Sequence, residues 1–207
     1  MYNADNIKKF ESLLLVGCKR DGVDKLLDYI RKSDFYSAPA STRFHNCHEG
    51  GLLEHTLNVA NRLTTKYYED SIWKERLHGT EYESLLISAL LHDICKANYY
   101  VAEPKNKKVY SESGTKSDAF GKYDWQTVLG YSVNDKEPYG HGEKSVMIIE
   151  QFIELKPVER YAIRWHMGFT EAKENWNTLS AAIRKYPLIL ALFEADLEAT
   201  YILEEEN

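Results

Sequence analysis

Apolar residues recur at helical spacing through most of the chain. They fall at Ile7, Phe10, Leu13 and Leu14 in 5–17, and at Leu26, Leu27 and Ile30 in 23–32, which predicts two N-terminal helices, the first stopped at Gly17. A stretch rich in small and turn-forming residues, SDFYSAPASTRFHNCHEGG, leads into a long helix over about 51–68. Further helices are expected over 81–96, 142–154 and 157–166, with Pro157 at a first helical turn, and from 178 to 205, where Pro187 opens the last. Residues 98–134 break the pattern. They are rich in Tyr, Val and Trp and are interrupted by Pro104, Gly114, Gly121 and Gly130. NYYVAE and KVYSES read as a hairpin about a PKNK turn, and KYDWQTVLGYSV as one more strand. The pattern predicts an all-α bundle with a small β-hairpin insertion, in a single domain over 1–207 whose first helices occupy 1–40.

Three of these helices direct polar groups toward the interior. After Gly51 the inward stripe runs Leu52, Thr56, Val59, Ala60 and Leu63, and His55 shares its face. On the next motif helix Leu85, Ala89 and His92 align, and Asp93 follows with Leu86 and Leu90 on its side. On the last, Asp196 has Leu192 and Phe193 before it and Ala199 after it. A buried carboxylate without a partner is costly, and two of them repel. A divalent cation removes both difficulties, because it holds Asp93 and Asp196 as anions and takes neutral imidazoles as ligands. Taken singly, a core histidine is more often a satisfied core residue, and a buried aspartate more often a cap or an ion-pair member. A His on one helix, a His-Asp pair on a second and an Asp on a third together make a ligand set.

Composition narrows the class. At 43% hydrophobic and 28% charged residues, the 207-residue chain suits a folded domain whose core needs no disulfides. No apolar run approaches a membrane span, and MYNADNIKKF is too polar for a secretory leader. Cys18, Cys47 and Cys95 are odd in number and form no CxxC pair. That excludes a disulfide scaffold or a zinc ribbon and points to a reducing, cytoplasmic setting. The net charge of −6 excludes a surface that is basic throughout.

GGLLEHT at 50–56, LLHDICK at 90–96 and EADLEAT at 194–200 resemble the H…HD…D motifs of the HD-domain superfamily of metal-dependent phosphohydrolases, over roughly residues 40–205. GGLLEHT is also similar to the HD part of certain bacterial 3′–5′ exoribonucleases. GHGEKSV together with IRWHMG is similar to a group of small bacterial and phage HD hydrolases. The resemblance implies four metal ligands, His55, His92, Asp93 and Asp196, holding one or two divalent ions from among Mn, Fe, Mg, Ni, Co and Zn. In dinuclear members two further histidines lie between the HD pair and the final Asp, and His141 and His166 occupy that interval in that order. They either bind a second ion or face a single one as phosphate-binding or proton-transfer groups.

The chemistry so implied is hydrolysis of a phosphomonoester or phosphodiester by a metal-bound hydroxide, with Asp93 as the central carboxylate and Lys96 holding charge on the phosphoryl oxygens. A surface role is the alternative for Lys96. Arg43 and His45 precede the Gly50-Gly51 entry to the first motif helix, and Lys144 starts the helix after His141; these are the candidate substrate-binding residues. The expected substrate is a small phosphate ester, a nucleotide, or a short RNA or DNA strand. Two rival classes are a non-catalytic metal- or nucleotide-binding HD module and a dinuclear-iron HD oxygenase. In the insertion, Lys105, Lys107 and Lys108 interleave with Tyr110, Tyr123 and Trp125. Such a pattern can stack bases and follow a phosphate backbone. The reading adopted instead packs these aromatics onto the helices. The closing EEE at 204–206 is expected to be solvated.

Overall fold

The computed structural model describes residues 3–43 and 46–204. The elements run α1 (Ala4–Gly17), α2 (Val23–Lys32), α3 (Gly51–Tyr68), α4 (Ser71–Arg76), α5 (Tyr82–Leu91), β1 (Tyr100–Tyr110), β2 (Lys116–Asp118), β3 (Gly121–Val133), α6 (His141–Glu150), α7 (Pro157–Arg164), α8 (Trp176–Lys185) and α9 (Leu188–Glu198). The chain is mostly helical. The insertion is a three-stranded antiparallel sheet in the order β1-β3-β2, so the all-α expectation is corrected over that segment.

α5 is buried around its whole circumference, every residue from Ser84 to Leu91 being buried, with Ser84 and Ser88 the polar exceptions in that apolar run. α1, α3, α7 and α9 pack around it. α3 contributes Leu52, Leu53, Leu57, Val59, Ala60 and Leu63 to that core, and α9 contributes Leu188, Ile189, Ala191, Leu192 and Ala195. One polar clamp crosses the assembly. Arg20, in the α1–α2 turn, donates to both oxygens of the fully buried Glu159 of α7, each at 2.5 Å, and Ser84 of α5 donates to the same carboxylate at 2.6 Å. No helix among the described residues is long and apolar enough to cross a membrane, and the three cysteines form no disulfide.

Four local expectations are revised. The helix expected over 81–96 ends at Leu91, and after a turn at His92-Asp93 the chain makes a 3-10 turn over Ile94–Lys96. The helix expected to reach His166 ends at Arg164. α4, capped by the Asp70 side chain on the N–H groups of Ile72 and Trp73, was not anticipated from the periodicity. Finally, Pro104-Lys-Asn-Lys is not a turn. β1 runs straight through it and pairs with β3, Tyr100 opposite Val133 and Tyr110 opposite Tyr123. β1 is an edge strand, where the N–H that Pro104 lacks need not be missed by the ladder.

Candidate metal centre

The two early helix stops assemble the site. On one continuous helix His92 and Asp93 would point about 100° apart. Because α5 ends first, both turn into the same space. His92 Nδ1 donates back to the Ala89 carbonyl at 2.8 Å, and His166 Nδ1 does the same to Ile163 at 2.7 Å. Each imidazole thus caps a carbonyl at the end of its own helix, and the cap fixes the ring so that Nε2 faces the centre. His55 comes from α3 and Asp196 from α9; His141 is the first residue of α6. Gly142 lets α6 approach α7: a Cβ there would stand 2.3 Å from the Arg164 carbonyl oxygen. That approach sets the His141 ring 5.1 Å from His166.

Asp93 is the hub. Its Oδ1 accepts from His141 Nε2 at 2.7 Å and lies 3.4 Å from His166 Nε2. Its Oδ2 lies 2.7 Å from Lys96 Nζ, 3.5 Å from His92 Nε2 and 3.8 Å from His55 Nε2. Asp196 Oδ1 lies 3.2 Å from His55 Nε2. Three overlapping groups bring one ligand atom from each member within 4.8 Å of the others: His55, His92 and Asp93; His92, His166 and Asp196; Asp93, His141 and His166. His92, His166, His55 and Asp93 are all buried.

The charge states follow from this packing. Burial drives His92 down to about 4, helped by the neighbouring imidazoles and opposed by Asp93 and Asp196. His92 is therefore neutral, with a lone pair at Nε2. Burial also opposes a charge on His55, yet its hydrogen bonds to Asp196 and Glu204 outweigh that and raise it to about 9. Burial opposes ionisation of Asp93 too, but Lys96, His92 and His141 hold it well below the usual carboxylate range. Asp196 is depressed in the same way by His55.

Nε2 of His92 and Nε2 of His166 are buried without a hydrogen-bond partner among the described residues. A buried polar atom left so is expensive, of order 1–3 kcal/mol. Two such nitrogens converging on a carboxylate fit a divalent cation, so this buried His/Asp group could hold a metal ion.

The remaining candidates are dispersed. Lys96 is held against Asp93 and donates to the Ala40 carbonyl at 2.8 Å. Arg43 is exposed at the mouth of the cavity. His45 lies outside the described residues. Lys144 donates to Asp135 at 2.5 Å and lines a neighbouring depression, not the cavity over the cluster. That cavity, about 610 Å³, has a polar end formed by the cluster with Arg43 and Lys96, and an apolar wall of Met167, Phe193, Leu197 and Tyr201.

Two partners were missed in the sequence. α9 passes into one turn of π-helix, Ala199–Leu203, which carries Glu204 beneath His55. Glu204 is buried and accepts from His55 Nδ1 at 3.0 Å and from Asn58 Nδ2 at 2.9 Å, so the reading of 204–206 as solvated fails at its first residue. Nothing in an EEE run distinguishes it. Cys95 lies 3.3 Å from His141 Nδ1, and burial pushes its thiol up to about 12, so it stays protonated.

No protein-family model and no solved structure matches the chain. A stretch of 66 residues, 31% of this chain, is 38% identical to the dihydroneopterin 2′,3′-cyclic phosphate phosphodiesterase of Methanocaldococcus jannaschii. The match spans 25% of that protein's length, so the similarity is to a part of it.

Proposed function

We propose that the chain is a metal-dependent phosphohydrolase of the HD type, one catalytic domain that cleaves the phosphate ester of a nucleotide or short oligonucleotide in the cytoplasm. The observation that carries this reading is the pair of buried imidazole nitrogens, on His92 and His166, that converge on Asp93 and have no hydrogen-bond partner among the described residues. The partial similarity to a cyclic phosphate phosphodiesterase supports the same reaction class and favours a phosphodiester.

His55, His92, Asp93, Asp196, His141 and His166 would hold one or two ions; His55, His92 and Asp93 come together in one group, His92, His166 and Asp196 in another, and Asp93, His141 and His166 in a third. When bound, a divalent cation supplies Lewis acidity toward a phosphoryl oxygen and lowers the pKa of water toward neutrality. The protein's own groups do the rest. Glu204 orients His55 through Nδ1, and the helix-end carbonyls orient His92 and His166. Lys96 compensates the charge of Asp93 and, with protons already given to Asp93 and Ala40, has a third for a phosphoryl oxygen. Arg43, at the mouth, presents a planar set of donors suited to phosphate. The apolar wall of Phe193, Met167, Leu197 and Tyr201 receives the organic part of the ester.

Elemental analysis of protein purified without a histidine tag or chelator tests the reading, together with hydrolysis of bis(p-nitrophenyl) phosphate and of 2′,3′-cyclic nucleotides. One or two equivalents of metal and measurable hydrolysis are expected, both lost in Asp93→Asn. Wild-type protein that binds no metal and hydrolyses none of these esters overturns it.

A further inference from the structure

The sheet is an arm with one bare aromatic face. Directly paired residues of β1 and β3 share a face, and one face carries Tyr100, Lys108 and Tyr110 from β1 with Tyr131, Leu129, Trp125 and Tyr123 from β3. Near the body this face is anchored. Tyr131 is buried, and the Tyr100 hydroxyl donates to the Ala40 carbonyl at 3.2 Å, the same carbonyl that accepts from Lys96 of the metal centre. Farther out nothing among the described residues covers it: Leu129 is 69% exposed, Trp125 49% and Tyr110 45%. The expectation that these aromatics pack onto the helices is therefore corrected.

The exposed rings are ordered, and cations lie among them. Tyr123 contacts Tyr110 and Trp125 at centroid distances of 5.7 and 6.0 Å. Lys108 Nζ sits 4.3 Å from the Tyr123 centroid and 5.7 Å from that of Trp125, and Lys116 is paired opposite Tyr123 on the same face. By register this face carries two lysines, Lys108 and Lys116, and the carboxylate of Asp118, while Lys105, Lys107 and Lys122 alternate to the opposite face. Aromatic rings set along a strand among lysines offer stacking to bases and charge to phosphates, with no need of a particular sequence. Lys108 is already paired with Asp118 at 2.6 Å and packs over the rings; Lys116, exposed beside Tyr123, is the charge this face offers to a phosphate.

We propose that the aromatic face of the arm binds single-stranded nucleic acid and leads one end of the strand toward the metal centre. From Tyr100 to Lys108 the face extends about 27 Å at ~3.4 Å per residue, a length suited to the short end of the ~4–16 nucleotides that single-strand platforms cover. The binding surface stands on its own geometry; its use in guiding a substrate rests on the hydrolase reading.

The test is fluorescence anisotropy of the full chain with a labelled oligodeoxynucleotide of about eight residues, in EDTA so that binding is read without turnover. Wild type should bind with an affinity that falls with salt. Trp125→Ala and Tyr123→Ala should each weaken binding about 5- to 150-fold, and Lys116→Ala should reduce the log–log salt slope by about 0.7. Each variant should keep the wild-type far-ultraviolet spectrum and rate on bis(p-nitrophenyl) phosphate, since none touches the metal cluster. Failure of wild type to bind, or unchanged affinity in Trp125→Ala, overturns the proposal, as does a dimer in light scattering that Trp125→Ala dissociates, which would assign the face to a second copy. If no ester is hydrolysed while the strand still binds through Trp125, the hydrolase reading falls and the platform stands.

Discussion

Replacing Glu204 separates a residue that orients a ligand from one that merely fills space. The carboxylate accepts from His55 Nδ1 at 3.0 and 3.2 Å and from Asn58 at 2.9 Å, and its side chain is 1% exposed. It is buried at the edge of the cavity over the cluster. A hydrogen bond to a buried charged group contributes about 1.5–3 kcal/mol, which corresponds to roughly 10- to 150-fold in an equilibrium constant. Outer partners of metal-bound histidines are worth about 10- to 100-fold in metal affinity, so the two routes agree. Glu204→Ala is expected near the upper end of that range, because it removes the acceptor and leaves a gap. Glu204→Gln keeps an acceptor oxygen and the volume and loses the charge, and should lie near ~10-fold. The assay is competition for Mn or Zn against a chromophoric chelator, with thermal unfolding of the chelator-treated protein measured alongside. Wild-type metal affinity in Glu204→Ala would refute the orienting role. Equal losses in the Ala and Gln variants would show that the charge, and not the hydrogen bond, matters.

Three further expectations follow from the packing. Gly142→Ala places a methyl 2.3 Å from the Arg164 carbonyl; it should destabilise the protein by about 1–3 kcal/mol and reduce metal stoichiometry by moving His141 from His166, as read by urea unfolding and elemental analysis. Arg20→Ala leaves the buried Glu159 without its cation, and a loss of about 3–5 kcal/mol in urea unfolding is expected, with a much smaller loss when Glu159→Gln is added. The metal-free protein should show a stability term from His55. Its folded pKa, about 9, exceeds the ordinary 6.5, so the term is fully present below about 6.5 and is lost as pH rises through 9. The difference amounts to about 3 kcal/mol, and denaturant titrations of chelator-treated wild type and His55→Gln across that window measure it.

The sequence by itself determined the helical body and the identity of the buried polar groups. Periodicity reports which face of a helix meets the core, and His55, His92, Asp93 and Asp196 stand out because each breaks an apolar face. It could not say that α5 and α7 stop short of His92 and His166, because the carbonyls that those imidazoles cap lie where an unbroken pattern would continue a helix. Nor could it separate a PKNK turn from a strand, since whether Pro104 is tolerated depends on which edge of the sheet it occupies. Glu204 and Cys95 became legible only in three dimensions. The first reaches His55 across 149 residues of chain and the second His141 across 46, and local composition carries no information about contacts of that range. The aromatic arm divides in the same way: sequence supplied the rings and the lysines, and strand register decided that Tyr110, Tyr123 and Trp125 share one face with Lys108 and Lys116 while Lys105, Lys107 and Lys122 take the other.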